Sequence, residues 1–323
     1  MSGRLGVELD VRVIRGVRLD GWRGRSVRVL EAEWDPEHPA EGVRALREGL
    51  GRARRVAVAV RLPLLFAKRV KLPPLPPAER RRVLRLEPQR FFPVRLDDVV
   101  VAVGRGDLVF AARDASITAW VGALEALGSV DMVEPGPIAL ARALGSRGID
   151  DGVALLDDAE RGVGVIDIRG GGVDGVRRLY GSLAEAAPAL VTGDGSTART
   201  IYVAPWHDER SRALATRLPE RTVEPLPSTR DVPAAFLSAY GAALGIGRDR
   251  GGALLPDELD ARIVARRRRE LFVAALVCVT SGIFALTSVD AWRARAVRDI
   301  EAGIRSREAR ATPVLALQHE LMT

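Results

Sequence analysis

Cysteine is almost missing from this sequence: Cys278 stands alone, and the histidines His38, His207 and His319 lie far apart. One thiol builds no disulfide framework, and no Cys/His spacing here suits a zinc site. Lysine is nearly as scarce. Of 49 basic residues only Lys68 and Lys71 are lysines, the rest being arginines spread along the chain instead of gathered in a block. The net charge of +7 therefore reads as solubility and surface attraction, and no nucleic-acid partner is expected. Catalytic signatures are also missing: there is no Gly-x-Ser-x-Gly elbow, no His-Glu-x-x-His pair and no Gly-Lys-Ser/Thr phosphate loop. His207 beside Asp208 reads as two neighbours at a helix start. No enzyme active site, cofactor or metal is expected.

Long apolar runs are missing as well, with one exception. The start, "MSGRLGVELDVRV", alternates charged and apolar residues, which is unlike a signal peptide and predicts that the first domain stays in the cytoplasm. Near the other end, "RRRRELFVAALVCVTSGIFALTSVDAW" holds an uncharged stretch, residues 271–289. As a helix it reaches about 28 Å, close to the roughly 30 Å hydrocarbon core of a bilayer. Thr280, Ser281, Thr287 and Ser288 do not argue against a span, because hydroxyls in a helix can bond back to the preceding turn. Arg262 and Arg266 to Arg269 precede the run, and Arg293, Arg295 and Arg298 follow it. This bias predicts a cytoplasmic N-terminal side.

What is present before the span reads as α/β protein. "LGVELDVRV" and "RSVRVLEAEW" alternate with period two around Gly21 and Gly24; a helix over 40–51 and a buried strand, "RVAVAVRL", follow. A proline-marked segment then encloses a helix from Pro77 to Arg90, and "DLVFAAR" leads into a helix over 114–127 with Asp114 as its cap. "RGD" at 105–107 reads as a hairpin turn. After a helix closed by Gly148 the first pattern returns, as three glycine-punctuated strands over 152–181, a helix, a buried strand "RTIYVAP" and a helix. Strand, strand, strand, helix, strand occurs twice, which points to a duplicated α/β domain. "DVPAAFLSAYGAALGIG" is an apolar helix of small residues able to approach other elements closely. Beyond the span, Val297, Ile300 and Ile304 have helical spacing, in a segment that is helix-prone up to Pro313.

Three stretches carry a resemblance to a known family. "KLPPLPPAERRRVLRLEPQRFFPVRLDDVVV", "ALGSVDMVEPGPIALARAL" and "YGAALGIG" followed by "ALLPDEL" occur in the order found in the actin-like inner-membrane platform proteins of type IV pilus and type II secretion machines. The chain resembles the PilM-like and GspL-like families, with the start of a PilN-like membrane module attached. The resemblance implies a duplicated RNase H-like domain of the actin-like ATPase superfold over 1–250, with halves of about 1–148 and 149–250. A basic linker over 251–270, a single transmembrane helix over 271–289 and a short periplasmic helical tail over 290–323 complete it. It further implies an adaptor in the cell inner membrane that couples a motor ATPase to other platform subunits, with a homodimer allowed.

Actin-like ATPases need glycine-bearing turns where backbone N–H groups approach phosphate and adenosine. Here Asp10 is followed by Val11 and Arg12, Asp157 and Asp158 have no glycine before Gly162, and Ala204 and Pro205 stand before Trp206 where Gly-Gly belongs. Each departure is expected to crowd the site, so the resemblance implies lost ATP binding. The alternatives are a nucleotide-binding actin-like ATPase of pilus assembly, and a membrane-tethered division or signalling scaffold of the same fold. On the Pro77 helix, spacing assigns Val83, Leu84 and Leu86 to a buried stripe and leaves arginines outward. Two readings stand: a solvated face with core phenylalanines, or a dock in which Arg81, Arg85 and Phe91 meet an acidic partner surface.

Overall fold

The computed structural model describes residues 3–21, 26–92, 99–158, 161–192, 199–229, 231–247 and 253–322. Two compact units emerge, Met1–Asp260 and Ala261–Thr323. The first opens with β1 (Arg4–Leu9), β2 (Val13–Asp20) and β3 (Ser26–Glu33), then α1 (Ala40–Leu50) and β4 (Arg55–Val60). Alternating residues made the first three strands an antiparallel meander, whereas the unbroken apolar run of β4 lies parallel to β1. A small module comes next: β5 (Phe66–Arg69), α2 (Pro77–Leu86), α3 (Pro88–Phe91), β6 (Val99–Val103), β7 (Leu108–Arg113) and α4 (Asp114–Leu124). β8 (Ser129–Pro135) then returns to the edge of the first sheet, and α5 (Gly136–Gly145) follows. The second half has β9 (Gly152–Asp158), β10 (Gly162–Arg169), β11 (Gly172–Leu179), α6 (Ala187–Thr192), β12 (Thr200–Ala204), α7 (Asp208–Arg217), β13 (Thr222–Pro225) and α8 (Leu237–Gly245).

The sheet orders are β3-β2-β1-β4-β8 and β11-β10-β9-β12-β13, with the same pattern of antiparallel and parallel pairings. The second half repeats the first, and β5-β7-β6 is an insertion in the first. α8 follows the second sheet in the chain yet packs on β1, β2 and β4 of the first, and on α5. Its small residues allow this: a Cβ on Gly6 would run into the Ala239 carbonyl, and one on Gly241 into that of Ala139. Arg142 on α5 fastens the joint, with Nη2 2.6 Å from Oε2 of the buried Glu134 on β8 and Nη1 donating to the Gly241 carbonyl at 2.9 Å.

Several local expectations change. The single helix from Pro77 to Arg90 is broken at Glu87 (φ −135°, ψ 61°), because Pro88 disfavours helical geometry in the residue before it. Leu86, expected in a buried stripe, is 73% exposed while Leu84 is fully buried; residues two apart on a helix do not share a face. Asp114 does not cap α4 but sits in its first turn, where its carboxylate accepts from Thr118 Oγ1 at 3.0 Å. Arg105 to Asp107 do form the turn between β6 and β7, with Gly106 at φ 62°. Pro93 to Asp98, part of the proline segment, lie outside the described residues.

Residues 253–256 are buried in the first unit, and the Leu254 amide donates to the Val133 carbonyl at 2.7 Å, continuing the edge at β8. From there α9 (Asp257–Met322) runs without interruption, so most of the expected linker is helix. Pro256 directly before it and Asp257, Glu258 and Asp260 in its first turn favour that start. The helix also runs through Pro313, where a stop is expected, at the cost of a backbone hydrogen bond. It is the one helix among the described residues long and apolar enough to cross a membrane. Its hydroxyls bond back as expected: Thr280 Oγ1 to the Leu276 carbonyl at 3.0 Å and Ser288 Oγ to that of Phe284 at 2.7 Å.

Candidate functional site

Because the two halves repeat one topology, their equivalent turns face each other across a cleft. The turn between β1 and β2 supplies Asp10 and Arg12, the end of β4 supplies Arg61, the end of β9 supplies Asp157, and the end of β12 supplies Ala204 and Pro205. The expected positions Asp10, Asp157, Ala204 and Pro205 are thus brought together around a cavity of ≈ 600 Å³. The Ala204–Pro205 peptide bond is cis. Apolar residues, including Leu140, Leu156 and Leu226, line the cavity beside this charged end.

The expected crowding is corrected by this volume. Val11, Ala204, Pro205 and Trp206 do not fill the cleft; the Trp206 indole is 38% exposed and donates to Asp208 Oδ1 at 2.8 Å, which holds it at the start of α7. What distinguishes the site is its charge arrangement. Arg61 donates through Nη1 to Asp10 Oδ2, and its Nε lies 3.2 Å from Glu8 Oε1. Arg15 stands behind them, with Nη1 3.5 Å from Glu8 Oε1 and 3.8 Å from Asp10 Oδ2, while its Nε reaches Glu31 Oε2 at 2.5 Å. Glu8 is 2% exposed, and its Oε2 has no partner among the described residues. Burial raises the Glu8 carboxyl above the ordinary carboxylate range, against the pull of Arg61 and Arg15. For Arg61 burial works to lower the pKa, but Glu8 and Asp10 outweigh it and the cation is held more firmly.

On the other side Asp157, whose side chain is 4% exposed, lies 3.3 Å from Arg210 of α7. The first turn of α7 carries Asp208 and Glu209, so the positive end of that helix dipole already faces carboxylates. Among the described residues no group of three His, Cys, Asp or Glu side chains could hold a metal. Gly193 to Thr197, a turn sequence, lie outside the described residues.

The arginine-rich face of α2 lies elsewhere and is not one surface. Arg85 is turned inward: Nη2 donates to the Leu255 carbonyl at 3.1 Å and Nη1 lies 2.5 Å from Asp257. This corrects the reading of Arg85 as an outward contact, because a side chain bonded to the start of α9 is not offered to a partner. Arg81 is half-buried on α2, and Phe91 packs against the core of the inserted module, beside the buried Phe92. Sequence reasoning missed Glu8, Arg15 and Arg61. Their signal was present: an acid within the apolar strand "LGVELD" and an arginine closing "RVAVAVRL" are charges at strand positions otherwise buried.

No family model matches the chain, and no curated protein sequence matches it. Solved structures do. One, described as the PilM-PilN type IV pilus biogenesis complex, is 18% identical over 75% of this chain and 97% of that chain, with a TM-score of 0.57. The cytoplasmic domain of EpsL, an inner-membrane component of the type II secretion system of Vibrio cholerae, is 14% identical over 75% and 95%, with a TM-score of 0.50. A Bacteroides thetaiotaomicron protein with an actin-like ATPase fold and unknown function is 9% identical over 74% and 95%, also with a TM-score of 0.50. The fold is therefore the actin-like ATPase fold, and the expected likeness to pilus and secretion proteins is met at that level.

Proposed function

We propose that this chain is a structural adaptor of an inner-membrane assembly platform, of the type IV pilus or type II secretion kind. It would be held in the membrane by residues 271–289, with its actin-like unit in the cytoplasm and the end of α9 in the periplasm. Support comes from two features carried by one polypeptide: a fold shared with PilM and with the cytoplasmic domain of EpsL, and a helix apolar enough to span a bilayer. In this reading the cytoplasmic unit meets a motor ATPase and other platform subunits. Arg81 and Phe91 stay as contacts of that unit, while Arg85 serves to fix the root of α9.

The observation that carries the loss of nucleotide chemistry is the ion cluster at the cleft's charged end. Arg61 is engaged by Glu8 and Asp10, Asp157 is engaged by Arg210, and no glycine follows Asp10 to let backbone N–H groups approach a phosphate. One observation favours the second reading, a nucleotide-binding actin-like ATPase: a cavity of ≈ 600 Å³ remains. Calorimetry with Mg-ATP on the full chain in detergent separates the two. The adaptor reading expects no saturable heat, and micromolar binding with turnover would replace it by the ATPase reading.

A further inference from the structure

Beside the cleft, and sharing Asp157 and Arg161 with it, the second half carries a second depression, of ≈ 490 Å³, where the end of β9, the start of β10, the end of β11 and α7 meet. Three arginines from three different elements line it, Arg161, Arg178 and Arg210, together with Tyr180 and a single acid, Asp157. That acid is already buried against Arg210, with its side chain 4% exposed, and Arg161 Nη1 lies 4.0 Å from Asp158 Oδ2, so three guanidinium groups meet two carboxylates and the lining keeps a net positive charge. Gly162, at φ 87°, contributes floor and no side chain; a Cβ there would strike the Leu179 carbonyl.

The guanidinium groups are held before any ligand arrives. Arg178 donates through Nε and Nη2 to the Arg161 carbonyl at 3.1 and 2.8 Å, and its Cζ lies 5.8 Å from the centre of the Tyr180 ring. Arg210 is oriented by Asp157 at 3.3 Å. A guanidinium has five N–H donors, so these contacts leave donors to spare, and a fixed fork suits a carboxylate. Tyr180 is the anomaly that points to a partner. It is 85% exposed, the highest exposure of any tyrosine or tryptophan among the exposed apolar and aromatic residues, and it stands beside pre-oriented arginines. Arginine and tyrosine are the residues over-represented where protein interfaces concentrate their binding energy, and pre-oriented side chains lose less entropy on binding.

We propose that this depression is a docking site for an acidic peptide segment of a partner protein, whose carboxylates meet Arg161, Arg178 and Arg210 while an apolar residue covers the Tyr180 ring. A concave site favours a protruding segment over a flat lipid surface, and an exposed aromatic wall has no use in holding a small inorganic anion. The site does not depend on the assembly in which the chain works, so its test is independent of the platform reading.

The test is fluorescence anisotropy with the full chain in zwitterionic nanodiscs and a fluorescein-labelled peptide of Glu and Gly with a single Leu at its centre. Saturable binding is expected, weakened by salt and at least about tenfold weaker for the Gln counterpart, a difference of about 1.4 kcal/mol. Tyr180→Ala and Arg178→Gln should each weaken binding about tenfold. Tyr180→Ala should leave the melting temperature unchanged, so its weaker binding keeps the test valid even if Arg178→Gln loses stability with its bonds to the Arg161 carbonyl. Arg44→Gln, an exposed charge on α1, removes the same formal charge elsewhere and should change nothing. Absence of saturable binding, equal binding of the Gln peptide, or equal loss with Arg44→Gln would overturn the proposal. So would displacement of the peptide by equimolar inorganic phosphate, or preferential Arg178-dependent binding to phosphatidylserine vesicles; these would assign the depression to a small anion or to lipid.

Discussion

Arg61→Ala is the sharpest perturbation of the cleft, because it removes a cation from between two carboxylates. Glu8 and Asp10 are 2% and 7% exposed, and Arg61 is the group that touches both most closely. Breaking a buried ion pair from one side costs about 3–5 kcal/mol. Arg15 stays within 3.5 Å of Glu8, so the lower end, about 3 kcal/mol, is expected. In a unit of this size that corresponds to a fall in melting temperature of about 6–12 °C. The loss should depend on pH in a stated direction. Burial already raises the Glu8 pKa, and deleting Arg61 removes the largest opposing influence, so it rises further in the variant. Below the raised pKa Glu8 is neutral and needs no partner; above it the unpaired charge is buried. The gap between variant and parent should therefore widen from acid to neutral pH. Urea unfolding of the full chain in detergent, followed by Trp fluorescence at several pH values, measures this. A loss under about 1 kcal/mol at neutral pH, within the range of an exposed pair, would refute the buried-cluster account.

Other expectations follow from the same geometry. Glu8→Gln removes a carboxyl whose folded pKa is raised; such a group favours the fold below its unfolded pKa of 4.5 and loses that contribution as pH rises through the folded value. The stability of Glu8→Gln relative to the parent should thus improve from acid to neutral pH, and a constant difference in melting temperature across that range would contradict it. Leu254→Ala, at a fully buried site, should cost about 2–5 kcal/mol, whereas Leu86→Ala, 73% exposed, should stay within about 0.5 kcal/mol; thermal melts of the two compare one chemistry at opposite burial. Gly241→Ala should destabilise, since its Cβ meets the Ala139 carbonyl, while Gly122→Ala on α4 has open space and should stabilise by about 0.5–1 kcal/mol. Equal signs for the two glycines in the same melts would contradict the close packing of α8 on α5.

The duplicated sheets were legible because strand alternation and apolar runs recur in one order, and the long apolar helix because no other stretch of the sequence stays uncharged for as long as residues 271–289. The position of α8 was not. A helix of Ala, Gly, Leu and Tyr advertises that it packs closely, but not against which sheet, and only the collisions at Gly6 and Gly241 identify its neighbours. The cleft's residues were readable as positions and misread as volumes. Side-chain size at Val11, Pro205 and Trp206 suggested a filled site, whereas Trp206 leans onto Asp208 and the decisive groups are charges at the ends of β1 and β4. Arg85 illustrates the same limit: helix spacing placed it outward, and its partner, 170 residues further on, could not be read from the helix alone.

The measurement that bears most directly on the adaptor account is photo-crosslinking in native membranes, with a photoreactive residue placed in turn at Arg81 and at Tyr180 and the captured proteins identified by mass spectrometry. The account predicts capture of a motor ATPase or of membrane-embedded platform subunits of a pilus or secretion machine, from a chain that resists alkaline extraction from the membrane. A chain released by alkali, or capture confined to division or signalling proteins, would contradict it.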